Sequence, residues 1–83
     1  KQADVAKELI NKGAKLDIQN KNGWTALMTS IYYKQADVAK ELINKGAKLN
    51  IQNKHGWTAL MISMKHKQAD VAKELINKGA KLD

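Results

Sequence analysis

IQNKNGWTALMTSIYYKQADVAKELINKGAKLN, residues 18–50, is followed immediately by a second copy of itself at 51–83, and the two copies differ at six of 33 positions. The differences are Asn22/His55, Thr29/Ile62, Ile31/Met64, Tyr32/Lys65, Tyr33/His66 and Asn50/Asp83. Part of the same unit also comes first: KQADVAKELINKGAKL begins at residues 1, 34 and 67. Self-similarity at a fixed period of some tens of residues marks stacked repeat architectures. The chain therefore reads as one domain, 1–83. It comprises a half repeat at 1–17 carrying only a second helix, over 3–12, and full repeats at 18–50 and 51–83.

Within one repeat the residue types order themselves. Asn20-Lys21-Asn22-Gly23 has Asn at the first and Gly at the fourth position of a type I turn. Thr25 stands where a helix N-cap belongs. A short first helix is expected from Ala26 to about Tyr33, with Leu27 and Ile31 four apart on one face. Lys34 and Gln35 make the reversal. Asp37 falls in the first turn of a second helix, where negative charge suits the positive helix end. Val38, Ala39, Leu42 and Ile43 form its apolar stripe. Gly46 supplies the left-handed residue that closes the helix, and Glu41 and Lys45 are spaced for an i,i+4 ion pair. The third repeat copies this through Gly56, Thr58, Leu60, Asp70, Leu75, Ile76 and Gly79. A competing reading fuses the two helices, since neither Gly nor Pro separates Tyr33 from Asp37. Lys34 would then interrupt the apolar line Leu27, Ile31, Val38, Leu42.

Composition narrows the function classes. The chain has 83 residues and no cysteine, so disulfides do not supplement its small core; an intracellular, cytoplasmic setting is the expectation. No apolar run reaches the roughly 18–20 residues of a membrane span. The opening Lys1-Gln2-Ala3-Asp4 lacks an initiator Met and a signal-peptide core, and reads as the interior of a longer protein. The net charge is +7, from 15 basic and 8 acidic residues. Every basic residue is Lys, whereas Arg is the side chain suited to bidentate reading of guanine and phosphate. Such a surface favours solubility, loose attraction to polyanions or an acidic protein partner.

The run Asn-Lys-x-Gly-Trp-Thr-Ala-Leu-Met followed by Asp-Val-Ala-Lys-Glu-Leu-Ile-Asn-Lys-Gly-Ala-Lys-Leu resembles the ankyrin repeat family over the whole chain. Period, turn–helix–helix order, Gly placement, Thr-x-Leu and Leu-Ile-x-x-Gly-Ala all agree with that pattern. Three features depart from it. The family's Thr-Pro-Leu-His is here Thr25-Ala26-Leu27-Met28 and Thr58-Ala59-Leu60-Met61. Ser30 and Ser63 replace a small Ala at the helix contact, with hydroxyls free to bond back along the helix. The reversal lacks the usual Gly. The resemblance implies an all-α solenoid of L-shaped units with turns projecting as fingers. It also implies a concave surface, lined by fingers and first helices, that typically binds other proteins.

On that expectation the differing positions 22/55, 32/65 and 33/66 face the concave groove, while the second helices do not vary. The candidate partner-binding residues are Asn22, Trp24, Tyr32, Tyr33, His55, Trp57, Lys65 and His66. They include all four aromatics of the chain, and Trp and Tyr are enriched among binding hot spots. A packing reading stands beside this. The two Trp recur at one repeat position and could cover the neighbouring turn, and the Tyr pair could cover the end of the helices. Thr29/Ile62 and Ile31/Met64 read as core repacking. Asn50 matches a position that asparaginyl hydroxylases modify in some family members, but a loop hydrogen bond is the simpler reading.

Other chemistry is thinly represented. His55 and His66 lack a third ligand at zinc spacing, no Gly-rich phosphate loop exists, and Ser30 and Ser63 have no base at a recurrent offset. No cofactor, metal or catalytic role is expected. The leading expectation is a non-enzymatic scaffold for a protein partner. The alternative is end-to-end self-association into a head-to-tail homo-oligomer through Leu9, Ile10, Leu75 and Ile76, because terminal repeats normally carry a polar outer face and these do not. Nucleic-acid binding is disfavoured by the lack of Arg and by Lys–Glu pairing on the helices.

Overall fold

The computed structural model describes residues 15–81, which form four helices: α1 (Ala26–Tyr32), α2 (Ala36–Asn44), α3 (Ala59–Lys65) and α4 (Ala69–Asn77). The half-repeat helix at 3–12, with Leu9 and Ile10, lies outside the described residues, as does Asp83. Among the described residues there is no strand. Each full repeat is a turn, a short helix, a reversal and a second helix, as its sequence indicates.

The local rules act residue by residue. Thr25 is extended (φ −93°, ψ 168°) and its Oγ1 accepts the Met28 N–H at 3.3 Å; Thr58 does the same for Met61. These are N-caps, each satisfying one of the orphan donors of a helix start. Asp37 and Asp70 accept the N–H of Val38 and Val71 at 3.0 and 2.9 Å. All four helices end on the same device, a left-handed residue flanked by two returning N–H bonds. In α2 it is Gly46 (φ 92°), with Gly46 N–H to Ile43 O at 3.2 Å and Ala47 N–H to Leu42 O at 3.0 Å. In α1 the left-handed residue is Lys34 (φ 61°), with Lys34 N–H to Ile31 O at 3.0 Å and Gln35 N–H to Ser30 O at 2.8 Å. Lys67 (φ 58°) repeats this after α3. The reversal thus separates the helices without glycine, and the fused-helix alternative does not occur. A non-glycine side chain there costs about 1 kcal/mol, offset by the two hydrogen bonds it makes possible.

Helices pack in two layers: α1 on α2 and α3 on α4 within repeats, α1 on α3 and α2 on α4 between them. Leu27, Met28, Ile31, Leu42, Val71 and Leu75 are wholly enclosed. Met28 fills the place where the family pattern has His, and the hydroxyls of Ser30 and Ser63 bond back to Leu27 O and Leu60 O at 2.8 and 2.7 Å. Polar bonds tie repeat to repeat. Lys54 N–H reaches Asn22 O at 3.1 Å, and Gln19 Nε2 reaches Gln52 O at 3.0 Å. The Gln68 carboxamide donates to Ile31 O. Asn50 Oδ1 accepts Lys81 N–H at 2.8 Å, as Asp17 accepts Lys48 N–H, so Asn50 makes the loop bond its simpler reading foresaw.

Three expectations are corrected by this stacking. Met64 is not a core residue: it is 64% exposed, whereas its counterpart Ile31 is 0% exposed because the third repeat covers it. Leu75 does not face outward, for it turns into the helix pair and is fully buried, leaving Ile76 exposed at 46% against 5% for Ile43. Lys40 Nζ reaches Asp70 of the next repeat at 3.5 Å, so a second-helix lysine pairs across repeats, whereas the expected Glu41–Lys45 pair does not form. Lys45 is already the C-cap of α2, past the last helical turn. The Val71 N–H lowers the Asp70 pKa below the ordinary carboxylate value, and Lys40 adds to that effect.

The fingers supply the sharpest test of stacking. Gly23 and Gly56 hold similar left-handed angles, φ 83° and 81°. A Cβ on Gly23 would lie 2.8 Å from Lys54 N and 2.9 Å from Asn53 Cα, while one on Gly56 meets open space. Gly56→Ala is expected to cost about 1 kcal/mol, from backbone strain alone. Gly23→Ala adds a backbone clash between fingers and is expected to cost about 2–4 kcal/mol. Urea unfolding of the two variants checks this, and equal losses would remove the finger-to-finger contact from the account.

Candidate functional site: the aromatic groove

Each finger is closed by one asparagine. Asn53 O accepts Gly56 N–H at 3.0 Å, and Asn53 Oδ1 accepts the N–H groups of both His55 (2.9 Å) and Trp57 (3.0 Å). Asn20 does the same for Gly23, Asn22 and Trp24 at 2.8, 2.9 and 3.0 Å. A short polar side chain bonding its own backbone two residues ahead fixes the loop. The finger then delivers its Trp onto the start of the first helix at a set angle.

Trp24 and Trp57 are half-buried and pack on the core with one part of the ring. The remainder faces the last turn of the same first helix, and here the two repeats differ. Trp24 meets Tyr32 edge-on, with centroids 5.4 Å apart at 86°. Trp57 instead has the Lys65 ammonium over its ring at 5.7 Å. One position therefore holds an aromatic pair in one repeat and a cation–π pair in the next, both favoured by the charge distribution of the ring.

Tyr32 is the hub. Besides Trp24 it makes edge contacts with Tyr33 (5.2 Å, 84°) and with His66 of the following repeat (5.1 Å, 81°). The chain Trp24–Tyr32–His66 thus crosses the repeat boundary. Between it and the Trp57–Lys65 pair lies an open groove of about 190 Å³, mostly apolar in lining, with Asn53, His55 and Ile62 completing its walls.

Six of the eight residues singled out from sequence line this groove: Trp24, Tyr32, His55, Trp57, Lys65 and His66. Tyr33 stands beside it, 67% exposed and stacked edge-on to Tyr32. Asn22 does not line it. Its carbonyl receives Lys54 N–H, so it serves the finger ladder through its backbone. Trp24 and Trp57 each pack against the core, as the packing reading has it, and each also lines the groove. Two wall residues escaped sequence reading. Asn53 is the same in both repeats and gave no variation signal, and Ile62 is a buried core side chain whose flank forms the floor. His55 and His66 share the groove, but among the described residues no three His, Asp or Glu side chains gather as a metal set. Among those residues no helix is long and apolar enough to cross a membrane.

The family model described as ankyrin repeats (3 copies) matches residues 1–83. Among curated proteins none matches the sequence.

Proposed function

The chain belongs to the ankyrin repeat family, whose members are generally non-enzymatic modules that bind other proteins, and on that premise we propose that it binds a protein partner in the aromatic groove of fingers and first helices. The observation that carries this reading is the Tyr32 hub. Tyr32 is 46% exposed, yet three ring contacts hold it in place, one of them to the next repeat. A fixed, amphipathic ring at the centre of a groove costs little entropy to engage and is the kind of residue that dominates interface energies. Sequence variation supports the same surface. Between the full repeats α2 and α4 are identical, while 32/65 and 33/66 change at or beside the groove and 22/55 places a histidine, His55, on its lining in the third repeat.

A second reading rests on a separate observation, the exposed apolar flank of the third repeat. Met64, Gln68, Ala72 and Ile76 line a shallow hollow of about 410 Å³ there. In the second repeat the equivalent Ile31 and Ile43 are closed off by the third. A second copy of the chain, presenting the flank that the third repeat presents to the second, is the occupant this face fits. Such a contact is heterologous and continues the solenoid.

Two experiments separate these. Peptides selected from a displayed random library against the 83-residue chain are expected to lose affinity at least about 10-fold in the Tyr32→Ala/Tyr33→Ala variant, with helical circular dichroism unchanged. Unaltered affinity would refute the groove reading. For the flank of the third repeat, sedimentation across a concentration range is expected to show association that Met64→Lys and Ile76→Lys abolish. Identical sedimentation of variants and parent would refute end stacking.

A further inference from the structure

Charge in this molecule is sorted by structural element. The fingers, first helices and reversals, residues 18–35 and 51–68, contain five lysines, two histidines and no carboxylate. Every Asp and Glu of the full repeats lies in the second-helix segments 36–50 and 69–83, where it is matched by lysines. Five of the seven net positive charges therefore belong to the half of each repeat that builds the groove. On the other half, Asp70 is engaged by Lys40 across repeats.

Building on the proposed protein-binding role of this groove, we infer that its partner is an acidic peptide segment carrying one large apolar anchor side chain. The anchor follows from size and lining. A groove of about 190 Å³ is below the roughly 300 Å³ at which small-molecule sites begin, and its walls of Trp24, Tyr32, Trp57 and Ile62 suit a single aliphatic or aromatic group. The acidity follows from the rim. Lys65 holds its ammonium over Trp57 at the groove wall, with His55 and His66 on the same lining. Lys21 and Lys54 stand exposed on the fingers, and Lys34 and Lys67 on the reversals. No carboxylate of the fingers or first helices opposes them. Lysine is a hydrated point charge without a planar fork, so carboxylates are attracted by the summed field rather than by paired geometry. The segment is thus defined by its acidity around the anchor, not by a strict order of acidic residues.

The test uses the 83-residue chain and short synthetic peptides, followed by tryptophan fluorescence and calorimetry. The reference peptide is glutamate-rich with one central leucine. Its two controls replace every glutamate by glutamine, or the leucine by alanine. Single-stranded oligothymidylate is the fourth probe. The reference peptide is expected to bind at least about tenfold more tightly than either control, to weaken with added salt, and to lose about tenfold in Lys65→Glu with a smaller loss in Lys65→Gln. If the glutamine peptide binds as well as the reference, and both are lost in Tyr32→Ala/Tyr33→Ala, the charge inference is overturned and the groove reading stands. Binding of the reference peptide that ignores both the Tyr and the Lys65 variants overturns the two together. Oligothymidylate binding more tightly than any peptide, or no peptide binding at all, also overturns the inference.

Discussion

A single 33-residue repeat of this chain has no way to enclose its own apolar flank, and that constraint orders the molecule. Ile31 and Ile43 are sealed because a third repeat lies against them; Met64 and Ile76, at the same positions one repeat later, stay exposed. The hydrophobic gain therefore belongs to the boundary between units rather than to any unit alone. The polar bonds follow the same geometry. Each of them, from the finger ladder to the Asn50 and Asp17 loop bonds, joins one repeat to the next, so registering one helix pair on the next brings them all into reach.

The groove is a consequence of that registration. Tyr32 and His66 are far apart in the sequence and meet only because α1 and α3 stack with their last turns level. The Trp of each finger reaches the last turn of its own first helix, and the repeats then diverge: tyrosine in one, lysine in the next. Substitution at a single repeated position has turned one half of the groove aromatic and the other cationic. The scaffold that presents them, held by Asn20, Asn53, Thr25 and Thr58, is unchanged between repeats.

Much of this is legible in the sequence because the repeat states each rule more than once. The caps at Thr25 and Thr58, the turns closed by Gly23 and Gly56 and the stripe Val38, Ala39, Leu42 are local, and local chemistry reads directly from residue type. What sequence reading misses depends on position in the stack. Met64 looks like Ile31 and Ile76 like Ile43, and only the presence or absence of a neighbour separates core from surface. Lys34 shows a second gap: a left-handed helix end is expected at glycine, yet the two returning hydrogen bonds hold a lysine there. Asn53 and Ile62 were hidden for another reason. The clue to the groove was variation between repeats, which is silent for the invariant Asn53 and at Ile62 registers only as core repacking.

The most direct test of the claim that the groove is a product of two stacked repeats is the nuclear Overhauser effect between aromatic rings in the free chain. With centroids 5.1 Å apart in one case and 5.4 Å in the other, the account predicts cross-peaks from Tyr32 ring protons to both His66 and Trp24. Cross-peaks to Trp24 with none to His66, in a chain whose helices are formed, would contradict it: each finger and helix would then be built as described while the repeats failed to assemble the site between them.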